Sequence, residues 1–223
     1  MLNTKDMQVG SGKVRPLIGP GNNVVRINSI TLDQTPYDSE AFNLNLHVET
    51  KPVGGDFEGF FRDKTNEALG RYEGQIGRVR MSPYPYKDTT LPSGREINRD
   101  QEILKAMIFL SEAVNKRSEL DKIEAATIED FISKANSVLC GDFFNVCLAS
   151  REWENKEGYI NNDLYLPKLS KDGIPAESLD VDISNSRLIT FNKAEHVREV
   201  QKKAESTVAA TPTGNGVVDD FEL

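Results

Sequence analysis

Between Phe60 and Arg99 the chain places eight basic residues, Arg62, Lys64, Arg71, Arg78, Arg80, Lys87, Arg95 and Arg99, against five acidic ones. Arg78 and Arg80 stand two apart in a strand-like run, so their side chains share a face about 7 Å apart. Tyr72, Tyr84 and Tyr86 interleave with these cations, and of Phe60 and Phe61 one ring must point outward if the other points in. Guanidinium groups that follow a phosphate backbone, with rings on which bases stack, are the equipment of a sequence-blind single-strand binder. The plain alternative is a glycine- and proline-rich surface loop whose arginines and tyrosines pack locally. The nucleic-acid-binding candidates are Arg62, Lys64, Arg71, Tyr72, Arg78, Arg80, Tyr84, Tyr86 and Lys87.

A second stretch is acidic. Residues 204–223 carry a charge of −4 with no lysine or arginine, and the chain closes on Asp219, Asp220, Phe221, Glu222 and Leu223. The preceding Ser206–Gly214 is built from small and turn-forming residues with little to bury, so the tail is expected to be disordered. Its tip offers carboxylates and two apolar side chains to a partner protein. It can also lie in a basic groove of its own chain and compete there with weakly bound nucleic acid.

Catalysis has little support. His47 and His196 are far apart in sequence, and His47 falls on the wet face of a strand. No cluster has metal-ligand spacing, no phosphate-binding or dinucleotide glycine motif occurs, and Asp219-Asp220 on a mobile tail cannot be held as an acid–base pair. The chain reads as a non-enzyme without cofactor.

With 223 residues the chain suits one elaborated domain. No run of eighteen apolar residues is present and the N-terminus lacks an apolar core, so neither a membrane span nor a leader is expected. Cys140 and Cys147 form no disulfide scaffold, and a reducing cytoplasm is the expected setting. The net charge is −8, and all of it arises after residue 100, since residues 1–100 hold 13 basic and 13 acidic residues. That balance opposes a broad duplex-binding surface but not a local groove, because separated patches are screened from each other beyond about 10 Å.

The elements follow from periodicity. Residues 1–22 read as a flexible arm. Val24–Leu32 is a strand whose apolar phase changes near Asn28-Ser29, which a bulge repairs. Phe42, Leu44, Leu46 and Val48 alternate with Asn43, Asn45, His47 and Glu49, giving a half-buried strand with one wet face. Phe57–Arg62 is read as the next strand of a meander, and Gln75–Met81 as a further short one. Pro83, Pro85 and Pro92 exclude a central strand over Ser82–Ser93. One helix starts at an Asn98 cap with Gln101 three residues on and Ile103, Met107, Leu110 and Val114 along one face. A second runs from a Thr127 cap to Leu139, with Gly141 placed to end it. Phe143–Ala149 reads as a central strand, Trp153–Gly158 as a hairpin turn, Leu164–Leu166 as a short strand, and Ala194–Ala204 as an exposed helical stretch. This order predicts a mainly β domain over 23–204, a small antiparallel barrel with a two-helix insert at 98–140, followed by linker and acidic tail over 205–223.

With arginines and tyrosines in the loops of such a body, a spacer at Ser206–Gly216 and the tip Asp219-Asp220-Phe221-Glu222-Leu223, the sequence resembles the single-stranded-DNA-binding proteins of bacteria and their viruses. Glu222 between the two apolar residues departs from the family tip. The block Phe57–Met81 (FEGFFRDKTNEALGRYEGQIGRVRM) likewise resembles proteins of tailed viruses of gut bacteria. The resemblance implies an oligonucleotide-binding (OB) fold, no catalysis, protection of replication or recombination intermediates, and partner proteins recruited by Asp219, Asp220, Phe221, Glu222 and Leu223. The helical pair is no standard part of that fold, and homo-oligomerisation is left open. The rival reading from another class is a virion or assembly accessory protein acting through protein contacts, and a third is a nuclease accessory or an enzyme subunit whose active site lies elsewhere.

Overall fold

The computed structural model describes residues 17–54, 61–62, 70–167 and 191–200. The acidic tip and Lys64 lie outside the described residues, as does most of Phe57–Arg62. Strand β1 (Gly21–Thr35) turns at Pro36-Tyr37 into β2 (Asp38–Thr50), and β3 (Ile76–Arg80) pairs with β2 as the third antiparallel strand. A small separate hairpin, β4 (Thr89–Thr90) with β5 (Glu96–Ile97), precedes the helices α1 (Arg99–Ala113), α2 (Arg117–Leu120) and α3 (Ile128–Leu139). The long β6 (Phe143–Glu154) returns against β7 (Ile160–Tyr165), and α4 (Lys193–His196) leads into β8 (Val197–Arg198).

Six of these strands form one sheet in the order β1-β2-β3-β7-β6-β8, and a further β1–β6 pairing closes it into a ring, with β8 carried on the edge of β6. Gly21 to Arg26 run antiparallel to Leu148 to Phe143 at that closure. Two pairings are parallel, Val79 and Arg80 with Leu164 and Tyr165, and Ser150 and Arg151 with Val197 and Arg198.

These pairings correct the expected OB-type antiparallel barrel with a two-helix insert. The protein is a mixed α/β fold whose six-stranded sheet closes into a ring. Helices α1 and α3 are no appendage, because their apolar stripes and the strands share one core. Ile103, Met107 and Leu110 of α1 and Ile132 and Leu139 of α3 are buried in the same cluster as Ile27, Leu44, Leu46, Val79, Phe144 and Leu148. The end of the expected N-terminal arm also belongs to this body: Ile18 is buried, its N–H reaches the Ile76 carbonyl, and Gly21 and Asn22 open β1.

Local signals were obeyed where they were local. The β1 register shifts between Ile27 and Ser29, so Asn28 is the bulged residue. The Asn98 side chain caps α1 by accepting from the Gln101 N–H, and Thr127 caps α3 by accepting from the Asp130 N–H. Gly141 follows the C-cap of α3 with φ of +105°, a left-handed conformation that favours glycine. Its N–H is spent on the Ile27 carbonyl and ties the helix end to β1 instead of closing the helix.

The β1 edge beyond the β6 pairing is held by a side chain. Asn136 of α3 accepts from the Ile30 N–H at 2.6 Å and donates to the Ile30 carbonyl at 2.9 Å, as a neighbouring strand would. Removing it strands two backbone groups that are shielded from water. Asn136→Ala is therefore expected to lower stability by about 1–3 kcal/mol. Urea unfolding with an unchanged slope and a lower midpoint would show it; an unchanged midpoint would mean that water replaces the amide without cost.

Candidate nucleic-acid interface

Residues directly opposite in a sheet share a face, so the register fixes what the outer side of the ring presents. On β2 and β3, His47 lies opposite Arg78 and Asn45 opposite Arg80. Arg80 pairs with Tyr165 of β7, Asp163 of β7 with Arg151 of β6, and Arg151 with Arg198 of β8. The intervening Val79, Leu164, Leu148 and Ser150 are buried on the opposite side. The outer face therefore carries a row of four arginines, Arg78, Arg80, Arg151 and Arg198, over strands β3, β7, β6 and β8. At about 4.8 Å per strand step this row spans roughly 14 Å.

Asp163 is the carboxylate within that row. It holds Arg80 at 3.1 Å through one oxygen, while the other accepts from the Trp153 indole N–H at 3.3 Å. Trp153 is thereby fixed beside the cations with its ring partly open to solvent. Among the described residues no ion pair or hydrogen bond engages Arg78 or Arg151, and both are exposed. Arg78 and Arg80 form the wall between two clefts. One, of about 430 Å³, lies against the β1–β2 turn with Asp33, Asn45 and Lys87; the other, of about 220 Å³, lies towards Ile18 and Asp163.

The remaining candidates are divided. Arg62 sits over the Tyr72 ring at 5.9 Å and 3.8 Å from the Glu49 carboxylate, and Arg71 lies 4.5 Å over the Phe61 ring. These four make intramolecular cation–π pairs beside Glu49, so they are not presented as a free stacking platform. Lys87 is exposed and pairs loosely with Asp38 at 3.5 Å. Of the three tyrosines, Tyr84 offers its ring to solvent at 61 % exposure. Tyr86 instead packs against the core, and burial, with the charge of Glu102 nearby, pushes its hydroxyl far above the ordinary range.

The wet face expected on β2 is also corrected. Asn45 and Glu49 are buried, and Glu49 is fully enclosed. One Glu49 oxygen accepts from Arg26 at 3.0 Å and Asn28 at 3.1 Å; the other accepts from the Glu73 and Gly74 amides at 2.7 and 3.2 Å. Burial pushes this carboxyl up, and the donors Asn28, Glu73, Arg26 and Gly74 more than reverse it, holding it below its ordinary 4.5. The segment around residue 73 is thus strapped to the bulge of β1 through one buried charge.

Sequence reasoning missed Arg151 and Arg198. Arg151 and Trp153 alternate two apart, which would have extended the apolar Phe143–Ala149 run into a longer strand with a polar outer face. Nothing local marks Arg198, which reaches the row only through the β6–β8 register. Among the described residues no group of histidine, cysteine and carboxylate side chains is arranged to hold a metal ion. Compared with known proteins, the chain matches no family model, no curated protein and no solved structure.

Proposed function

We propose that this protein binds single-stranded DNA without regard to sequence, along the outer face of the ring, and serves replication or recombination, with partner proteins recruited by its acidic C-terminal stretch. The observation that carries the reading is the row Arg78, Arg80, Arg151 and Arg198 on one face of a chain whose net charge is −8. Four guanidiniums with one carboxylate among them match a phosphate backbone, and Trp153 and Tyr84 supply open rings beside it. The strand interface is too narrow and the remaining surface too acidic for a duplex to be wrapped.

The test is a titration of labelled oligo(dT) against the full chain at two salt concentrations. Binding should fall steeply with salt, since each neutralised phosphate contributes about 0.7 to the slope for a single strand. Replacing Arg78 and Arg80 by alanine should weaken all sequences alike and reduce the slope by about 1.4. An unchanged slope in the folded double variant would remove these two from the interface. No binding at low salt would overturn the reading and favour a module acting through protein contacts.

A further inference from the structure

A sizeable cleft lies where the arginine row ends. It has a volume of about 630 Å³, within the usual range for small-ligand sites, and opens between α1, the stretch Met81–Tyr86 and the ends of β6, β7 and β8. Ala149 and Tyr165, opposite each other on the outer face, form part of its wall, and Arg198 stands at its rim. The cleft is thus continuous with the proposed backbone path.

Its lining combines rings and apolar groups with the cations Lys105 and Arg198 and the carboxylates Glu102 and Glu195. The rings of Tyr84 and Phe109 are open to solvent. His196 lies in the wall at 7 % exposure and its ring stacks on Phe191 at 5.7 Å. The Asn192 N–H donates to His196 Nδ1 at 2.8 Å, which places the proton of the neutral ring on Nε2. That Nε2–H has no hydrogen-bond partner among the described residues, so a buried side chain enters the cleft as a preset donor. Every nucleobase carries a ring nitrogen or carbonyl oxygen able to accept it. Arg198, which lines the same cleft as Tyr84, is placed to meet the attached phosphate.

We infer that this cleft receives one unstacked nucleotide of the bound strand, its base against Tyr84 and accepting from His196 Nε2–H, its phosphate at Arg198. The inference rests on the single-strand reading above and adds a base-holding subsite outside the arginine row. An apolar side chain of a partner protein is the competing occupant, but it would leave the His196 donor and Arg198 without acceptors.

The experiment compares a 20-mer of oligo(dT) with an abasic deoxyribose-phosphate strand of equal length. Tyr84→Ala is expected to weaken oligo(dT) by about fivefold to a hundredfold, and Tyr84→Phe to restore it. His196→Phe, which keeps an aromatic ring against Phe191 and removes the donor, should cost about fivefold. Neither change should alter binding of the abasic strand, whereas Arg198→Ala should weaken both. Equal losses on both strands, or none on oligo(dT), would overturn the subsite while leaving the arginine row standing. Failure of the unaltered protein to bind either strand would overturn both.

Discussion

Glu49→Ala is expected to cost about 3–5 kcal/mol of stability, the range for breaking a buried ion pair by removing one partner. The side chain is fully enclosed and answers four donors, from Arg26, Asn28 and the Glu73 and Gly74 amides. Alanine leaves the Arg26 charge and three neutral donors facing an empty space. Arg26 would retain only its stacking over the Phe143 ring at 5.5 Å. Glu49→Gln preserves the volume, but its amide nitrogen would turn a donor towards existing donors, so it should recover only part of the loss. The pH dependence has a definite sign. Because the folded-state carboxyl is held below its ordinary 4.5, its contribution is fully present above that value. It is lost as the pH falls through the lower folded value, once the group protonates in both states. Unfolding curves at pH 7 and pH 3 should therefore show a wild-type advantage over Glu49→Ala that shrinks at the lower pH; an equal advantage at both would show that the charge is not what holds the strap.

Removing the whole arginine row should have the largest effect on binding. With Arg78, Arg80, Arg151 and Arg198 all replaced by alanine, the salt slope for oligo(dT) should fall by about 2.8, twice the change from the Arg78/Arg80 pair. At moderate salt that corresponds to a loss of two to three orders of magnitude, on the order of 3–4 kcal/mol. Arg78, Arg151 and Arg198 are exposed, Arg80 is partly so, and none belongs to the core cluster, so the variant should unfold at nearly the wild-type midpoint. Trp153 fluorescence gives an internal check, because releasing Asp163 from Arg80 changes the environment of the indole that it accepts from. A quadruple variant with the slope of the Arg78/Arg80 pair would confine the backbone path to β3 and remove β6 and β8 from it.

The contrast between these two sites shows which parts of a sequence can be read directly. The bulge at Asn28, the alternation through β2 and the caps at Asn98 and Thr127 depend on neighbours a few residues away, and periodicity or short spacing exposes them. Glu49 looked like one more polar residue on a wet face because its partners at Arg26 and Gly74 are more than twenty residues distant. Arg78 and Arg80 were found as a pair because two residues on one strand share a face by construction. Arg151 and Arg198 joined them only through pairings that no local pattern encodes, one of them parallel. The same limit hid the closure of the sheet, since apolar runs mark the strands of a core without stating which two meet.

That closure shapes how the chain can be made. The N-terminal half of the ring is complete once Arg80 has been synthesised, yet the partner of Gly21–Arg26 is Phe143–Leu148, and the parallel partner of β3 is Leu164–Tyr165. Until those residues leave the ribosome, β1 and β3 expose hydrogen-bonding edges flanked by apolar side chains, the arrangement most prone to pairing with another nascent chain. Pairings this distant in sequence also form slowly after release, because a loop of 85 residues between Val79 and Leu164, and one of 117 between Arg26 and Phe143, must close before any contact repays it. The protein is thus most vulnerable between the emergence of β3 and that of β7, and chaperone dependence should concentrate in that interval of translation.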